Sequence, residues 1–551
     1  MTATYEELRA SFRLEVPEEF NFARDVVGKW AEDRNRRAMV WLGRGGSERQ
    51  ITFRDFYRRA KRAAAAFRAA GIQKGDRVLV VMPRVPEWWE TLLGLELIGA
   101  VAAPGTTLLT PRDIKYRVEL ARATAAVMDV ENARKLAEVR AQCPDLRAVF
   151  VVGGDTETGK GGSQTHPYEA ALEAVSEHED FVPTRANDTA LLYFTSGTTG
   201  YPKMVAHTHA SYGVGHQITG RLWLDLTPND LHWTLSDTGW AKAAWGCFFG
   251  PWSQGAAIFM QDATGRFDAQ ETLRLLERYQ ITTFCAPPTA YRMLVLEDLK
   301  TYDLRELQHC VGAGEPLNPE VIDAWQQGTG LTIRDGYGQT ETVLLCGNFP
   351  GMEVRPGSMG RPSPGFEVAV IDEDARPVEP GEEGDIAVRV RPLRPVGLFK
   401  EYWNDPEATR RAMRGDYYVT GDRAYVDADG YFWFVGRADD VIISAGYRIG
   451  PFEVESALVE HPAVMESAVI ASPDPVRGEI VKAFVILAPG YEPSDTLTEA
   501  IQEHVKGVTA PYKYPREIEF VTELPKTISG KIRRVELRER ERAAKAGALP
   551  R

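Results

Sequence analysis

The chain is most informative at residues 191–203, which read Leu191-Leu-Tyr-Phe-Thr-Ser-Gly-Thr-Thr-Gly-Tyr-Pro-Lys203. The apolar first half predicts a strand, and the strand runs into a loop of glycines and hydroxyl residues. Gly197 and Gly200 let backbone N–H groups approach a polyphosphate, because neither residue has a Cβ in the way. The loop also supplies hydroxyl donors and one cation, namely Thr195, Ser196, Thr198, Thr199 and Lys203. The segment therefore predicts a phosphate-binding loop at the end of a strand.

This loop differs from the phosphate loop of kinases and GTPases. That pattern ends in Gly-Lys-Ser/Thr, whereas here Pro202 precedes Lys203 and Met204 follows it. A P-loop of that class is therefore disfavoured, although the need for a cation and backbone donors around phosphate is the same.

Upstream of the loop, helices and strands alternate. Thr52 can cap a helix from Phe53 to Ala70, with Asp55 at the capping-box position. Short apolar strands follow at 77–82 and 123–129, with a helical stretch at about 87–99 between them. Strands that alternate with helices predict a largely parallel α/β sheet.

The pattern changes twice further along the chain. Short β segments with Pro and Gly turns between residues 357 and 390 predict a small antiparallel subdomain. After Gly436, helices at 451–460 and 497–508 and strands at 468–471 and 482–487 predict a separate small domain. We therefore expect an α/β protein: a large N-terminal domain (1–436) of α/β subdomains plus a small β-subdomain, followed by a small α+β C-terminal domain (437–551).

The length, charge and cysteine content of the chain disfavour several classes of function and location. The 551 residues exceed what one hydrophobic core supports, and the formal net charge of −13 disfavours nucleic acid or a membrane surface as partner. No apolar run is long enough to cross a bilayer, and the N-terminus lacks a signal core or an Arg-rich transit pattern. The five cysteines are scattered, as in a reduced protein. We expect a cytoplasmic protein without integral membrane contact; the oligomeric state stays open, with a homo-oligomer possible.

Four further segments, spread over the second half of the chain, have distinctive motifs of their own. They are Gly336-Tyr-Gly-Gln-Thr-Glu341, Tyr418-Val-Thr-Gly-Asp422, Gly436-Arg-Ala-Asp-Asp-Val-Ile-Ile-Ser-Ala-Gly-Tyr-Arg448 and Leu524-Pro-Lys-Thr-Ile-Ser-Gly-Lys531. With the phosphate loop, they resemble, in order and spacing, the motifs of the adenylate-forming superfamily of acyl-CoA synthetases, luciferases and nonribosomal-peptide adenylation domains. The segments 223–228, 236–240, 461–464, 472–478 and 508–515 are most similar to those of medium-chain acyl-CoA synthetases.

The resemblance implies an ATP and Mg²⁺ site. The loop from Thr195 to Lys203 would hold the β- and γ-phosphates, Thr340 the α-phosphate, and Glu341 the Mg²⁺ ion. Asp422 would accept hydrogen bonds from the ribose hydroxyls, with Arg437 assisting. Lys531 would be the catalytic lysine of adenylation, whereas Lys526 is expected to be a surface residue. The remaining nucleotide contacts implied are Gly312, Gly314, Glu315, Pro316, Gly336, Tyr337, Gly338 and Gln339.

The resemblance also implies coenzyme A as acceptor, a mobile C-terminal domain and a pocket for a carboxylic acid. Asp439 matches the hinge about which that domain swings. Ala445, Gly446 and Tyr447 would line the pantetheine tunnel, and Arg477 and Lys506 would meet the phosphates of coenzyme A, unless they are simply solvated. Trp240, Gly312 and Gly338, with Trp245 and Val311, would line the acid pocket, although core packing is the alternative for the tryptophans. Relatives restricted to acetate carry Trp at the position of Gly338, which favours a longer or aromatic acid here.

The expected activity is therefore an acid–CoA ligase that consumes ATP and passes through an acyl-adenylate. The main alternative is a freestanding adenylation enzyme that loads the phosphopantetheine of a carrier protein. A luciferase-like monooxygenase and a non-catalytic nucleotide sensor are the other two, and the sensor is disfavoured because Glu341 and Lys531 are both present.

Overall fold

The computed structural model describes residues 4–154, 165–177, 181–195, 202–263, 265, 267–444, 447–474, 477–510, 512–526 and 531–548. Within these ranges, no helix combines the length and the apolar character that a membrane crossing requires.

The strands are short and numerous. In chain order they are β1 (Arg37–Leu42), β2 (Glu48–Thr52), β3 (Arg77–Val81), β4 (Val101–Gly105), β5 (Ala125–Asp129), β6 (Ala148–Val152), β7 (Thr165–Pro167), β8 (Thr189–Thr195), β9 (Lys203–Thr208), β10 (Leu231–Thr234), β11 (Ala257–Gln261), β12 (Thr283–Ala286), β13 (His309–Ala313), β14 (Ile333–Gly338), β15 (Leu344–Gly347), β16 (Ser358–Pro362), β17 (Val368–Ile371), β18 (Gly384–Arg389), β19 (Glu401–Tyr402), β20 (Met413–Arg414), β21 (Tyr417–Val426), β22 (Phe432–Arg437), β23 (Ile442–Ser444), β24 (Tyr447–Ile449), β25 (Val464–Asp474), β26 (Gly478–Leu487) and β27 (Glu517–Phe520).

Helices connect most of these strands. They are α1 (Tyr5–Ser11), α2 (Gly28–Trp30), α3 (Phe53–Ala69), α4 (Pro86–Leu97), α5 (Pro111–Ala121), α6 (Val130–Val139), α7 (Tyr168–Glu173), α8 (His209–Gly213), α9 (Ala241–Ala244), α10 (Gly250–Ser253), α11 (Ala269–Arg278), α12 (Pro288–Leu294), α13 (Pro319–Thr329), α14 (Pro406–Arg411), α15 (Pro451–Val459), α16 (Asp495–Val508) and α17 (Arg534–Ala548). A π-helical segment, Trp245–Phe249, joins α9 to α10.

The strands form three sheets. The large sheet runs in the order β17-β18-β21-β22-β16-β15-β14-β13-β12-β10-β11-β1-β2, with β20 paired to β21. Its section from β14 to β1 is parallel, and its section from β15 to β17 is antiparallel. The antiparallel strands predicted after residue 357 are therefore present, but they continue the large sheet instead of forming one of their own.

The second sheet contains the strands on either side of the predicted phosphate loop, β8 and β9. Its order is β19-β9-β8-β4-β3-β5-β6-β7, and it is parallel from β8 to β7. The hairpin β8–β9 pairs Thr195 with Lys203, so the two ends of the predicted phosphate loop lie side by side. The third sheet, β24-β23-β26-β25 with β27 beside β26, contains only residues from Ile442 onward.

Local sequence explains several of these elements directly. Thr52 caps α3, and its hydroxyl accepts from the backbone of Asp55 while the Asp55 carboxylate accepts from the backbone of Thr52. The buried face of α3 packs against α4, whose Trp88 and Trp89 are fully buried. The ring of Trp252, on α10, packs edge to face against that of Phe53, the first residue of α3. This contact joins α3 to α10.

One buried acid lies in this helical layer and gives a testable pH dependence. The side chain of Glu96, on α4, is 3% exposed, and its Oε2 accepts a hydrogen bond from the Ala23 backbone at 3.0 Å. Burial raises the pKa of this carboxyl from an ordinary value of 4.5 to about 8. The folded protein therefore holds the proton that the unfolded chain loses above pH 4.5, so stability present at low pH is lost as the pH rises towards 8.

We expect Glu96→Gln to relieve this loss, because glutamine keeps the acceptor oxygen and does not ionise. The variant should gain roughly 4 kcal/mol of unfolding free energy near pH 8 and almost nothing at pH 4.5. Thermal unfolding of both proteins across that range measures the difference, with Glu492→Gln at an exposed position as the control. A gain that is the same at every pH would show that Glu96 is not the titrating group.

Candidate active site

A cavity of about 2230 Å³ lies where the large sheet, the hairpin β8–β9 and the C-terminal segment meet. Most of the residues that the sequence singled out line it, although they come from widely separated parts of the chain. They are Thr195, Lys203, Trp240, Trp245, Gly314, Glu315, Pro316, Gly336, Tyr337, Gly338, Gln339, Thr340, Glu341, Asp422, Arg437 and Lys531.

Asp422, on β21, is fixed on one side. The hydroxyl of Tyr337 and the side-chain amide of Gln339 both donate to its Oδ2, each at 2.6 Å. Oδ1 accepts no protein hydrogen bond from the described residues, and the carboxyl lines the cavity. Burial raises the pKa of Asp422, whereas Arg437, its register partner on β22, and Lys531 lower it. The result is a carboxylate with one oxygen available to a ligand that carries hydroxyl donors.

Glu341 follows β14 and is joined to the phosphate-loop hairpin through Tyr402. The Tyr402 hydroxyl donates to Glu341 Oε1 at 2.8 Å, and the ammonium of Lys203 lies 5.1 Å from the centre of the Tyr402 ring. Burial raises the pKa of Glu341, and the bond from Tyr402 lowers it. A carboxylate and an ammonium are thus held near one another at one end of the cavity.

This carboxylate fits a Mg²⁺ ion. Among the described residues, no group of three or more His, Cys, Asp or Glu side chains forms a metal site of its own. Mg²⁺ usually binds through one or two carboxylates together with substrate phosphates, so a single carboxylate beside a cation that suits phosphate is an appropriate set of donors.

The backbone of Thr340 is held by two residues that sequence reasoning missed. Its carbonyl accepts from His207 Nε2 at 2.7 Å and from the Tyr212 hydroxyl at 2.9 Å. Both side chains are fully buried, and burial lowers the pKa of His207 to about 3, so the ring is neutral. His207, in β9, and Tyr212, in α8, come shortly after Lys203 in the chain, but no motif in the sequence indicates their role.

The loop after β13 forms another wall of the cavity. Gly314 has φ of +108°, a conformation that suits glycine, and Glu315 pairs with Arg292 at 3.6 Å. Asp335, on the neighbouring strand β14, is buried and accepts a hydrogen bond from the Gly336 backbone at 2.9 Å. Burial raises the pKa of Asp335 to about 8, so it is a neutral acid at pH 7.

The residues predicted to form the acid pocket lie in two different environments. Trp240 and Trp245 line the cavity, and the Trp245 ring lies 5.9 Å from that of Trp223, which lines it too. Gly312 and Val311 do not line it: Val311 is buried, and a Cβ on Gly312 would contact Leu317 and Ile333 in the core. Ala313, on the same strand, does line the cavity; Gly312 points to the opposite face of the sheet, and Val311, on the face of Ala313, is covered by core residues.

Gly338 lines the cavity, but its lack of a side chain has a packing reason as well. A Cβ there would lie 2.7 Å from the backbone oxygen of Val343. A larger residue at this position therefore requires a backbone shift, so the glycine does not by itself measure the length of the acid.

Lys531 enters the cavity from the segment before α17. It is close enough to lower the pKa of both Asp422 and Lys242. Lys526, on the same segment, is instead paired with Glu466 at 2.8 Å. Arg534 and Arg538 of α17 contact Glu455 and Asp440, which anchors the helix behind Lys531 next to the predicted hinge. Asp439 itself lies 3.5 Å from Arg437.

The residues predicted to meet coenzyme A lie away from this cavity. Tyr447 is exposed and stacks on Tyr512 at 4.3 Å, and Lys506 pairs with Glu503 at 2.6 Å. Arg477 is exposed, and its backbone N–H donates to Asp474. None of Tyr447, Lys506 and Arg477 lines the cavity that holds Lys531. The predicted site residues Ser196, Gly197, Thr198, Thr199, Gly200, Ala445 and Gly446 lie outside the described residues.

Known proteins resemble this chain over almost its full length. Acyl-coenzyme A synthetase ACSM3, mitochondrial, of Mus musculus is 48% identical over 548 residues, which cover 98% of this chain and 93% of the relative. The anthranilate CoA ligase AuaEII, solved in complex with anthranoyl-AMP, superposes with a TM-score of 0.88 at 32% identity and covers 96% of this chain and 99% of its own. An acyl-CoA synthetase of Brucella canis superposes with a TM-score of 0.76 at 35% identity, covering 99% and 100%.

The predicted cytoplasmic location is contradicted by these relatives. The mouse, rat and human proteins all carry "mitochondrial" in their names, which points to the mitochondrion. The prediction rested partly on scattered cysteines, and reduced thiols do not distinguish one reducing compartment from another.

Family models match in the same order as the motifs. The model described as AMP-binding enzyme matches residues 28–403, and the model of the AMP-binding enzyme C-terminal domain matches residues 453–531. With the cavity and the full-length similarity, these matches show that the chain belongs to the family of AMP-binding enzymes.

Proposed function

We propose that this protein is an ATP-dependent acyl-CoA synthetase that converts a carboxylic acid, ATP and coenzyme A into acyl-CoA, AMP and pyrophosphate. The observation that carries the proposal is the meeting of Asp422, Glu341 and Lys531 in one cavity, together with full-length similarity to acyl-CoA synthetases. We also propose that residues 1–436 bind acid and ATP and that residues 437–551 form the mobile domain, with its hinge at Asp439.

The first half-reaction joins two anions, and the residues of the cavity account for how this is possible. The acid carboxylate attacks the α-phosphorus of ATP, the bond to the β-phosphate oxygen breaks, and pyrophosphate leaves. Lys531 stabilises the charge that develops between the carboxylate and the α-phosphate, while Thr340, fixed by His207 and Tyr212, positions the α-phosphate. Mg²⁺ held by Glu341 neutralises phosphate charge when it is bound.

The rest of the nucleotide is held by surfaces on both sides of the cavity. The phosphate loop, with Lys203 at its end, takes the β- and γ-phosphates. Asp422 receives the ribose hydroxyls on its available oxygen, and Arg437 assists from the neighbouring strand. Gly314, Glu315, Pro316 and the segment 336–339 enclose the adenine.

The second half-reaction uses a different arrangement of the same domains. The thiol of coenzyme A attacks the acyl carbonyl of the adenylate, a C–S bond forms, and AMP leaves. Tyr447, Arg477 and Lys506 lie away from the cavity that Lys531 occupies, so they reach the adenylate only if the C-terminal domain turns about Asp439. This is the structural basis on which we assign them to the thioester step.

We further propose a medium-chain or aromatic acid as substrate. The aromatic rings of Trp223, Trp240 and Trp245 line one wall of the cavity and make it apolar. Such a wall suits an acid with an extended hydrocarbon or aromatic part. The similarity to an anthranilate CoA ligase agrees with an aromatic acid.

Product formation with a panel of acids tests the proposal. Acids from acetate to dodecanoate, with benzoate and anthranilate, are incubated with ATP and Mg²⁺, with and without coenzyme A, and AMP, pyrophosphate and thioester are measured. We expect thioester formation that requires coenzyme A and is fastest with an intermediate-length or aromatic acid. Pyrophosphate release that coenzyme A does not affect, with no thioester, would instead indicate loading of a carrier protein.

The role of Asp422 gives a second prediction. Asp422→Asn replaces a charged acceptor with a neutral amide, and hydrogen bonds to charged groups contribute roughly 1.5–3 kcal/mol. We expect the Kd for ATP to rise by roughly 10- to 100-fold, measured by calorimetry without acid. Asp429→Asn, at an exposed position that pairs with Arg355, is the matched control and should leave this Kd unchanged. An unchanged Kd in Asp422→Asn would remove Asp422 from the ribose site.

A further inference from the structure

Besides Lys531, another lysine, Lys242, lines the same cavity, and neither half-reaction as proposed uses it. Lys242 lies on α9, between Trp240 and Trp245, and its side chain points into the cavity. Its Nζ donates to the backbone oxygen of Ala313 at 2.6 Å. An ammonium has three donors, so this bond leaves two of them for another partner.

No carboxylate of the described residues pairs with Lys242, although two acids lie near it. Glu315 is paired with Arg292 at 3.6 Å, and Asp335 is a neutral acid at pH 7 because burial raises its pKa to about 8. Burial also lowers the pKa of Lys242; the nearby Cys285 and Glu315 raise it, and the charge of Lys531 lowers it. An ammonium that is partly withdrawn from water and has no direct carboxylate partner is costly, and a second ammonium nearby adds to that cost.

The surrounding backbone leaves space at this ammonium. A Cβ on Gly314 would lie 3.2 Å from Lys242 Nζ, so glycine at this position avoids crowding the cation. Lys242 lies on the segment that carries Trp240 and Trp245 of the proposed acid pocket, and its ammonium contacts Ala313 at the edge of the loop proposed to enclose the adenine. Lys203 and Glu341 mark the phosphate end of the cavity. The missing counter-ion is therefore expected at the acid end.

We propose that Lys242 binds the carboxylate of the acid substrate and holds it between its own ammonium and that of Lys531. This proposal rests on the proposed function and extends it. Lys242 belongs to the part of the chain that holds ATP, so it keeps the acid in place whether or not the C-terminal domain has brought Lys531 into the cavity. Lys531 then acts on a carboxylate that is already positioned.

Equilibrium binding of the acid alone tests this role. Benzoate and octanoate, and their uncharged amides benzamide and octanamide, are titrated into the full-length protein without ATP or coenzyme A, using calorimetry. The variants are Lys242→Met, which keeps the length of the side chain without its charge, Lys242→Arg, which keeps the charge, and Lys300→Met at an exposed position as the control. Thermal unfolding of each variant confirms that it is folded.

We expect Lys242→Met to weaken binding of the two carboxylates by roughly 10- to 100-fold, without changing the binding of the amides or of ATP. Lys242→Arg should restore much of the carboxylate affinity, and Lys300→Met should match the unchanged protein. In steady-state assays, Lys242→Met should raise KM for the acid more than it lowers kcat.

Three results would overturn the proposal for Lys242. The first is an unchanged affinity of Lys242→Met for the carboxylates. The second is an equal loss of affinity for carboxylates and amides, which would indicate a packing role. The third is a loss of affinity for ATP alone, which would place a phosphate at the ammonium. Each of these can occur in a protein that still makes thioester. A protein that makes no thioester from any acid would instead contradict the proposed function.

Discussion

Replacing Lys531 with alanine should slow acyl-adenylate formation by about 10²–10³-fold, while thioester formation from a supplied acyl-adenylate should remain close to normal. Lys531 reaches the cavity near Asp422, where the acid and the α-phosphate would meet. Its charge is needed while negative charge develops there, and it is not needed once the adenylate exists and the thiol attacks.

The two steps can be measured separately with the same variant. Pyrophosphate release from ATP and acid reports the first step, and thioester formation from synthetic octanoyl-adenylate or benzoyl-adenylate with coenzyme A reports the second. Lys526→Ala is the matched control, because Lys526 lies on the same segment but is paired with Glu466. An equal loss of both steps in Lys531→Ala would contradict the assignment of Lys531 to adenylation alone.

Replacing Glu341 with glutamine should lower the rate of adenylation by about 10²-fold, the size expected when one electrostatic contact to a transferring phosphoryl group is lost. Glutamine keeps an oxygen that can accept the bond from Tyr402, so the geometry is retained while the charge that suits Mg²⁺ is removed. The concentration of Mg²⁺ that gives half-maximal pyrophosphate release should rise as well.

A titration with Mg²⁺ separates these effects from loss of folding. Glu407→Gln is the control, since Glu407 is exposed and pairs only with Arg411 of the same helix in the described part of the chain. Tyr402→Phe removes the hydroxyl and leaves the carboxylate, so its effect should be smaller than that of Glu341→Gln. A normal rate and an unchanged Mg²⁺ dependence in Glu341→Gln would exclude Glu341 as the residue that binds the metal.

Local signals in the sequence predicted the elements of the fold well. The capping box at Thr52 placed the start of α3 at Phe53, and the apolar run at residues 77–82 became β3 over Arg77–Val81, parallel to both of its neighbours. The helix predicted at 451–460 is α15. These features depend on residues close together in the chain, so pattern and propensity suffice to find them.

Local sequence signals did not predict which strands pair when the strands are far apart in the chain. The antiparallel strands after residue 357 were predicted, but the pairing of β16 with β15, which joins them to the large sheet, was not. Which strand edge meets which is decided by long-range packing, and the sequence of one strand does not encode it.

The same limit applies to the candidate site. The motifs located Asp422, Glu341 and Lys531, because each lies in a run of residues that resembles a known family. His207 and Tyr212 support Thr340 from more than 100 positions away in the chain, and Lys242 lies in a stretch without a distinctive pattern. Gly312 was predicted to line the pocket, whereas the alternation of the strand directs it towards the core.

The central claim is that the acid becomes activated by bonding to the α-phosphate of ATP. An acid labelled with ¹⁸O in both carboxyl oxygens follows that bond directly when it reacts with ATP, Mg²⁺ and coenzyme A. Our account predicts one ¹⁸O atom in each AMP and one in each acyl-CoA, because the bridging oxygen of the adenylate leaves with AMP. Label in inorganic phosphate or pyrophosphate, with none in AMP, would show that the acid attacks a different phosphorus and would contradict the account.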